Sequence, residues 1–147
     1  MNASWPLWIF ASIAKYFDTG ISVHLHVEGD LRNTSDKSEW VELTIDGPDI
    51  KEVQGQRFKV EVSVHAMVCV LPSDSRYRRH ELAGSVQALF TTIPLYTYGE
   101  DEVVQFGCLH LAREGRPIVL FPLPADEGSQ IHQTQITGHY ETLLEDT

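Results

Sequence analysis

Residues 58–70 read FKVEVSVHAMVCV, and nearly everything about the fold turns on how that run is placed. Phe58, Val60, Val62, Val64, Ala66, Val68 and Val70 share one parity; Lys59, Glu61, Ser63, His65, Met67 and Cys69 share the other. Strict alternation over such a length is the signature of a β-strand, whose side chains point to opposite faces in turn. The first parity is apolar throughout and belongs on a core. The second begins charged and ends apolar, so the strand's first half has one face in water and its second half is covered on both. At about 3.3 Å per residue the run spans roughly 43 Å. This length predicts that part of the strand projects beyond the body, as one arm of a hairpin with residues 40–46.

Working outward, WVELTID at 40–46 alternates in the same way and is broken by GPD at 47–49. A polar link, KEVQGQ, then leads into the long strand. Upstream, ISVHLHV at 21–27 reads as a half-buried strand and EGDLRNTSDKSE as a polar loop. Residues 4–17 carry Trp5, Ile9, Ile13 and Tyr16 or Phe17 on one helical stripe. Ser4 is the expected cap, Pro6 sits harmlessly in the first turn, and Gly20 is the expected terminator.

Downstream, Ser75 is a candidate cap for a second helix over 76–92, marked by Leu82, Val86, Leu89 and Phe90 and ended by Pro94. Short strands are expected at 95–98, 103–111 and 117–121. A Pro-rich link, PLPADEGS, precedes a last strand at 130–140, and the final EDT is expected to fray. Helix, strands, helix, strands predicts a single α+β domain over 1–147. Its antiparallel or mixed sheet carries two helices packed on one face and a long projecting hairpin at about 40–71.

Composition narrows the function. The chain has 147 residues, 42% apolar and 22% charged, which is enough for a core without staples. Its 21 acidic and 11 basic residues leave a net charge of −10. That argues against a tight nucleic-acid binder, which needs a basic face, but is compatible with a surface past which DNA slides. Cys69 and Cys108 lack metal or redox spacing and read as reduced thiols, with folding in the cytosol the simplest fit. WPLWIFASIAKYF has no basic leader and is too short for a membrane span of about 20 apolar residues.

Few motifs suggest chemistry. His24 and His26 form HxH on one strand face and could supply two metal ligands, but no third is evident, and a solvated strand face is the plainer reading. Ser63 and His65 share a face without an assignable orienting acid. Neither GxSxG nor HExxH occurs, and the glycines form no phosphate cradle. No catalytic residue, metal ligand or cofactor is therefore expected. RYRRH at 76–80 is the basic cluster; arginines at a helix start oppose its dipole, which hints at an anionic partner. Arg76, Arg78 and Arg79, with Lys59 and Glu61 on the charged start of the long strand, are the candidate partner-facing residues. Trp5, Trp8 and Phe10 are expected to pack on the sheet.

WPLWIFASIAKYF followed by a strand, then WVELTIDGPDIKEVQGQRFKVEVSVHAMVCV, resembles the tail-terminator and neck proteins of tailed bacteriophages. The likeness lies in the amphipathic first helix, the ELTIDGP element and the long strand after it, and is better carried by residues 1–70 than beyond. It implies a small α+β subunit assembling as a homo-oligomeric ring, usually six-fold, at the head–tail junction of the virion. The ring would cap the tail tube and join it to the head connector, with DNA passing through the lumen without specific binding. It brings no catalytic residue or cofactor, and no membrane. A head-completion or stopper protein is the neighbouring alternative. A small metal-dependent hydrolase using His24, His26 or His65 is the alternative of another class, and a ligand-binding domain with one deep apolar pocket is the third.

Overall fold

The computed structural model describes residues 1–29, 37–71, 76–112, 116–120 and 132–146. Ser75 and most of the loops expected at 28–39 and 122–129 lie outside that set. The protein is α+β. Helices α1 (Trp5–Gly20) and α2 (Arg76–Gln87) accompany strands β1 (His24–Val27), β2 (Glu39–Gln54), β3 (Arg57–Val70), β4 (Ile93–Tyr96), β5 (Gln105–Leu111), β6 (Ile118–Leu120) and β7 (His132–Glu145). The seven-stranded sheet runs β1-β2-β3-β7-β5-β4, with β6 also on β7. It is mixed, because β1 lies parallel to β2 while the other pairs are antiparallel.

The long strand is the centre of this sheet. Its even-numbered residues from Val60 to Val70 are all buried, in one cluster with Trp5, Trp8, Ile9, Ile13 and Phe17 of α1 and Leu82, Ala83 and Val86 of α2. Both helices therefore cover the same face. On the other face burial rises along the strand as expected, from exposed Glu61 to Cys69, which is 1% exposed opposite the buried Trp40.

Several expectations shift. The GPD triplet does not end β2. Gly47 takes φ +110° before a cis Gly47–Pro48 bond, pairing lapses after Asp46↔Ser63, and it resumes at Asp49↔Glu61. The ladder absorbs the extra residue as a bulge because β3 runs unbroken beside it. The polar KEVQ link is thus strand, and the turn is confined to Gly55 and Gln56. A Cβ at position 47 would sit 3.0 Å from the Glu61 carbonyl, so glycine is demanded there twice over. Nor is the far end of the hairpin a free two-stranded arm. β7 pairs with β3 all the way from His132↔Val70 to Glu145↔Arg57, which makes a three-stranded ribbon. The last strand accordingly runs past 140 to Glu145.

Ser4 makes no capping bond; its own backbone N–H donates to Asn2 Oδ1 at 2.8 Å. Gly20 belongs to the last turn of α1, and the strand expected from 21 starts at His24. α2 stops at Gln87, and the chain leaves it through i→i−3 bonds from Leu89 to Val86 and from Phe90 to Gln87. That swings Phe90 onto Phe17 and Tyr140. Pro94 lies inside β4 rather than before it, tolerated because β4 is an edge strand. The buried Ser12 serves β4 from the helix: its hydroxyl accepts from Tyr96 N at 2.9 Å and donates to Tyr96 O at 3.3 Å.

Candidate functional site

Three places on this frame concentrate chemistry or exposed surface. The first is the sheet face turned away from the helices. β2, β3 and β7 bring Asp46, Ser63, His65, Thr137 and His139 into neighbouring rows. His65 Nε2 lies 2.9 Å from Asp46 Oδ2 and its Nδ1 lies 2.9 Å from Thr137 Oγ1. A carboxylate only accepts, so Nε2 carries the proton; in the neutral ring Nδ1 then accepts from the Thr137 hydroxyl. Ser63 Oγ stands 2.8 Å from His139 Nδ1. An orienting acid for His65 thus exists, which alternation alone could not reveal because Asp46 comes from the neighbouring strand.

The serine, however, bonds the other histidine, so the acid, base and nucleophile do not form one relay. The adjoining cavity, about 540 Å³, is lined by Asp46, Asp49, Glu61 and Glu141 beside Ser63 and His139. Four carboxylates around a serine oppose the anionic intermediate of acyl transfer. The two pairs read as cross-strand fasteners.

HxH fares similarly. His24 and His26 touch edge to face, with ring centroids 4.3 Å apart, and His26 is buried with no hydrogen-bond partner for its Nε2. Among the described residues no three His, Cys, Asp or Glu side chains gather to hold a metal ion.

The second place is the basic cluster. Arg76 opens α2, and its side chain is outside the described set. Arg78 forks onto Glu39, donating from Nε to Oε2 at 2.6 Å and from Nη2 to Oε1 at 2.7 Å. That bond holds the Glu39 carboxyl below its ordinary value against the opposing pull of partial burial. Arg79 donates to Thr134 Oγ1 and to the Gln133 carbonyl, both at 2.9 Å. The anionic partner that the arginines suggested is, for Arg78, supplied by the chain itself: the pair ties the start of α2 to β2 and β7. Lys59 and Glu61 meet each other at 3.1 Å, with Glu141 3.8 Å from the lysine. The bond to Glu61 pushes the Lys59 ammonium up. These two lie well along β3 from Arg78 and Arg79, so the four candidates with described side chains form two groups and no single patch.

The third place is surface that no motif marked. Beyond Leu43, β2 pairs only with β3, so residues 44–54 present an open edge among the described residues. Val53 and Leu143, near the far end of the ribbon, are 54% and 60% exposed. At the opposite end of α1 an apolar cleft of about 490 Å³ runs between the helix and β4, bordered by Lys15 and Val103. Spacing could not find this cleft, because its walls come from three separate segments.

No helix among the described residues is long and apolar enough to cross a membrane. No family model and no curated protein matches the chain. A solved structure that carries only a sequence identifier superposes with a TM-score of 0.56, covering 94% of this chain and 96% of its own, at 11% identity. That likeness is one of fold over almost the full length of both chains, and it brings no activity with it.

Proposed function

We propose that this protein is a structural subunit of the phage head–tail junction, a tail terminator whose ring caps the tail tube and joins it to the head connector. One observation carries the reading. The three longest strands, 16, 14 and 14 residues, extend as a ribbon whose outer strand has an open, largely exposed edge from residue 44 onward. Such an edge offers surface to another copy, and a heterologous contact between copies makes a ring when its rotation closes. The resemblance of residues 1–70 to terminator and neck proteins supplies the location. The net charge of −10 suits a lumen through which DNA slides without being held.

The same edge bears on how copies would touch in this reading. Pro48 and the register shifts at Asp46/Asp49 and Glu52/Gln54 interrupt the outer edge of β2. Interruptions of this kind blunt strand addition. Side chains at the end of the ribbon are the better means of contact.

Electron microscopy of particles assembled without the protein tests the reading. Tails of uncontrolled length are the expected result. Heads that fill and then leak would make the protein a stopper instead, and normal particles would remove it from the junction altogether.

A further inference from the structure

We propose that the far turn of the β2–β3 hairpin is a plug, and that the cleft between α1 and β4 on a second copy of the chain is its socket. The inference rests on the ring-forming reading above and specifies the contact.

The socket is apolar where it is free. Tyr16, Leu89, Pro94, Tyr96, Tyr98 and Val103 contribute its walls. Two of its hydroxyls are already committed: Ser12 to the Tyr96 backbone, and Tyr16 to the Leu89 carbonyl and Thr91. Val103 stands 63% exposed at the border. The border is charged with both signs. Lys15 lies on one side, and Glu100, Asp101 and Glu102 immediately precede Val103 on the other. None of these four makes an ion pair among the described residues.

The plug has the matching composition. Lys51, Glu52 and Val53 are consecutive and exposed, and neither charge is paired among the described residues. Val53 supplies the apolar anchor, Glu52 suits Lys15, and Lys51 suits the acidic turn.

The fold sets the two regions apart within one molecule. The plug end of the hairpin is fixed beside the start of α1, where the Trp5 and Phe58 rings pack with centroids 5.6 Å apart. Lys15 is ten residues further along the helix, about 15 Å at 1.5 Å per residue. Each copy therefore offers a plug at one end and a socket at the other. That is a head-to-tail arrangement, which makes a ring when its rotation closes, and it differs from a two-fold contact in which a patch meets itself.

The asymmetry gives a decisive test with the full chain, read by sedimentation or native mass spectrometry, alone and with purified tail tubes. Val53→Asp and Val103→Asp should each abolish self-association. Mixed together they should form dimers and nothing larger, since one intact plug and one intact socket remain. Lys15→Glu and Glu52→Lys should each weaken association about tenfold or more, and the double variant should recover it. The altered residues are exposed, so circular dichroism and melting should be unchanged; if Val103→Asp does not fold, Lys15→Glu serves as the socket variant in the mixture. Rings that persist in both aspartate variants overturn the inference and leave the ring-forming reading intact. A parent chain that neither associates nor joins tubes overturns both. A monomer that binds anilinonaphthalene sulfonate, and loses it on Val103→Asp, makes the cleft a small-molecule site and overturns the plug.

Discussion

The two halves of β2 share one strand and one partner, yet they belong to different environments. From Glu39 to Asp46 the strand buries Trp40, Val41, Leu43 and Ile45 and has β1 on its outer side at residues 40–43. From Gly47 to Gln54 no residue is fully buried and the outer side is open among the described residues. The ladder to β3 continues through both. The second half is held chiefly by its one neighbouring strand, β3, with Ile50 as its half-buried contact to the core. A segment ordered chiefly by its ladder, with Ile50 packed against the core, can change its exposed side chains without unfolding the body.

This contrast is open to direct attack. Leu43→Ala removes a fully buried side chain from the first half and should cost about 2–5 kcal/mol. Ile50→Ala, the half-buried counterpart in the second half, should cost well under half as much; equal losses in denaturant midpoint would erase the distinction. At the junction, Gly47→Ala meets both a left-handed backbone and the Glu61 carbonyl, and about 1–3 kcal/mol of destabilisation is expected.

Arg78→Ala should cost about 1–2 kcal/mol, since it breaks a forked, partly buried pair. It carries a pH signature. The Glu39 carboxyl is held below 4.5 in the fold, so the pair's stabilisation is complete above that value and disappears as pH falls through the lower folded one. The variant should lose that part of the acid sensitivity, as pH titrations of the melting temperature would show. Lys59→Ala, on the exposed face of the ribbon, should leave the midpoint unchanged within error while altering its salt dependence.

The alternation at 58–70 was enough to establish a long strand with one face on the core, because that face repeats every second residue. The helical stripe at Trp5, Ile9 and Ile13 was legible for the same reason. That the strand lies at the centre of the sheet, and does not project as a hairpin arm, depends on β7 pairing along its whole length. What escaped was set by partners distant in sequence. GPD looks like a stop in isolation, and it continues as strand because β3 supplies an unbroken template. Tertiary packing of Phe90 on Phe17 and Tyr140 ends α2 before the Pro94 signal. Of the candidate contact residues, Arg78 and Arg79 read as free cations until β2 and β7 bring Glu39, Gln133 and Thr134 beneath them. Val53 and the α1–β4 cleft carried no signal at all, since exposure and concavity belong to the assembled surface and not to any local pattern.

The central position of β3 has a consequence for solvent isotope exchange. β3 has a strand on both sides from Arg57 to Val70, its pairing to β2 interrupted at the two register shifts. On the open stretch of β2, the amides facing away from β3 bond to nothing within the described chain. Deuterium uptake along residues 49–52 should therefore alternate between slow and fast from one amide to the next, while β3 takes up label slowly; whatever comes to lie against that edge in an assembly would announce itself by silencing the fast set.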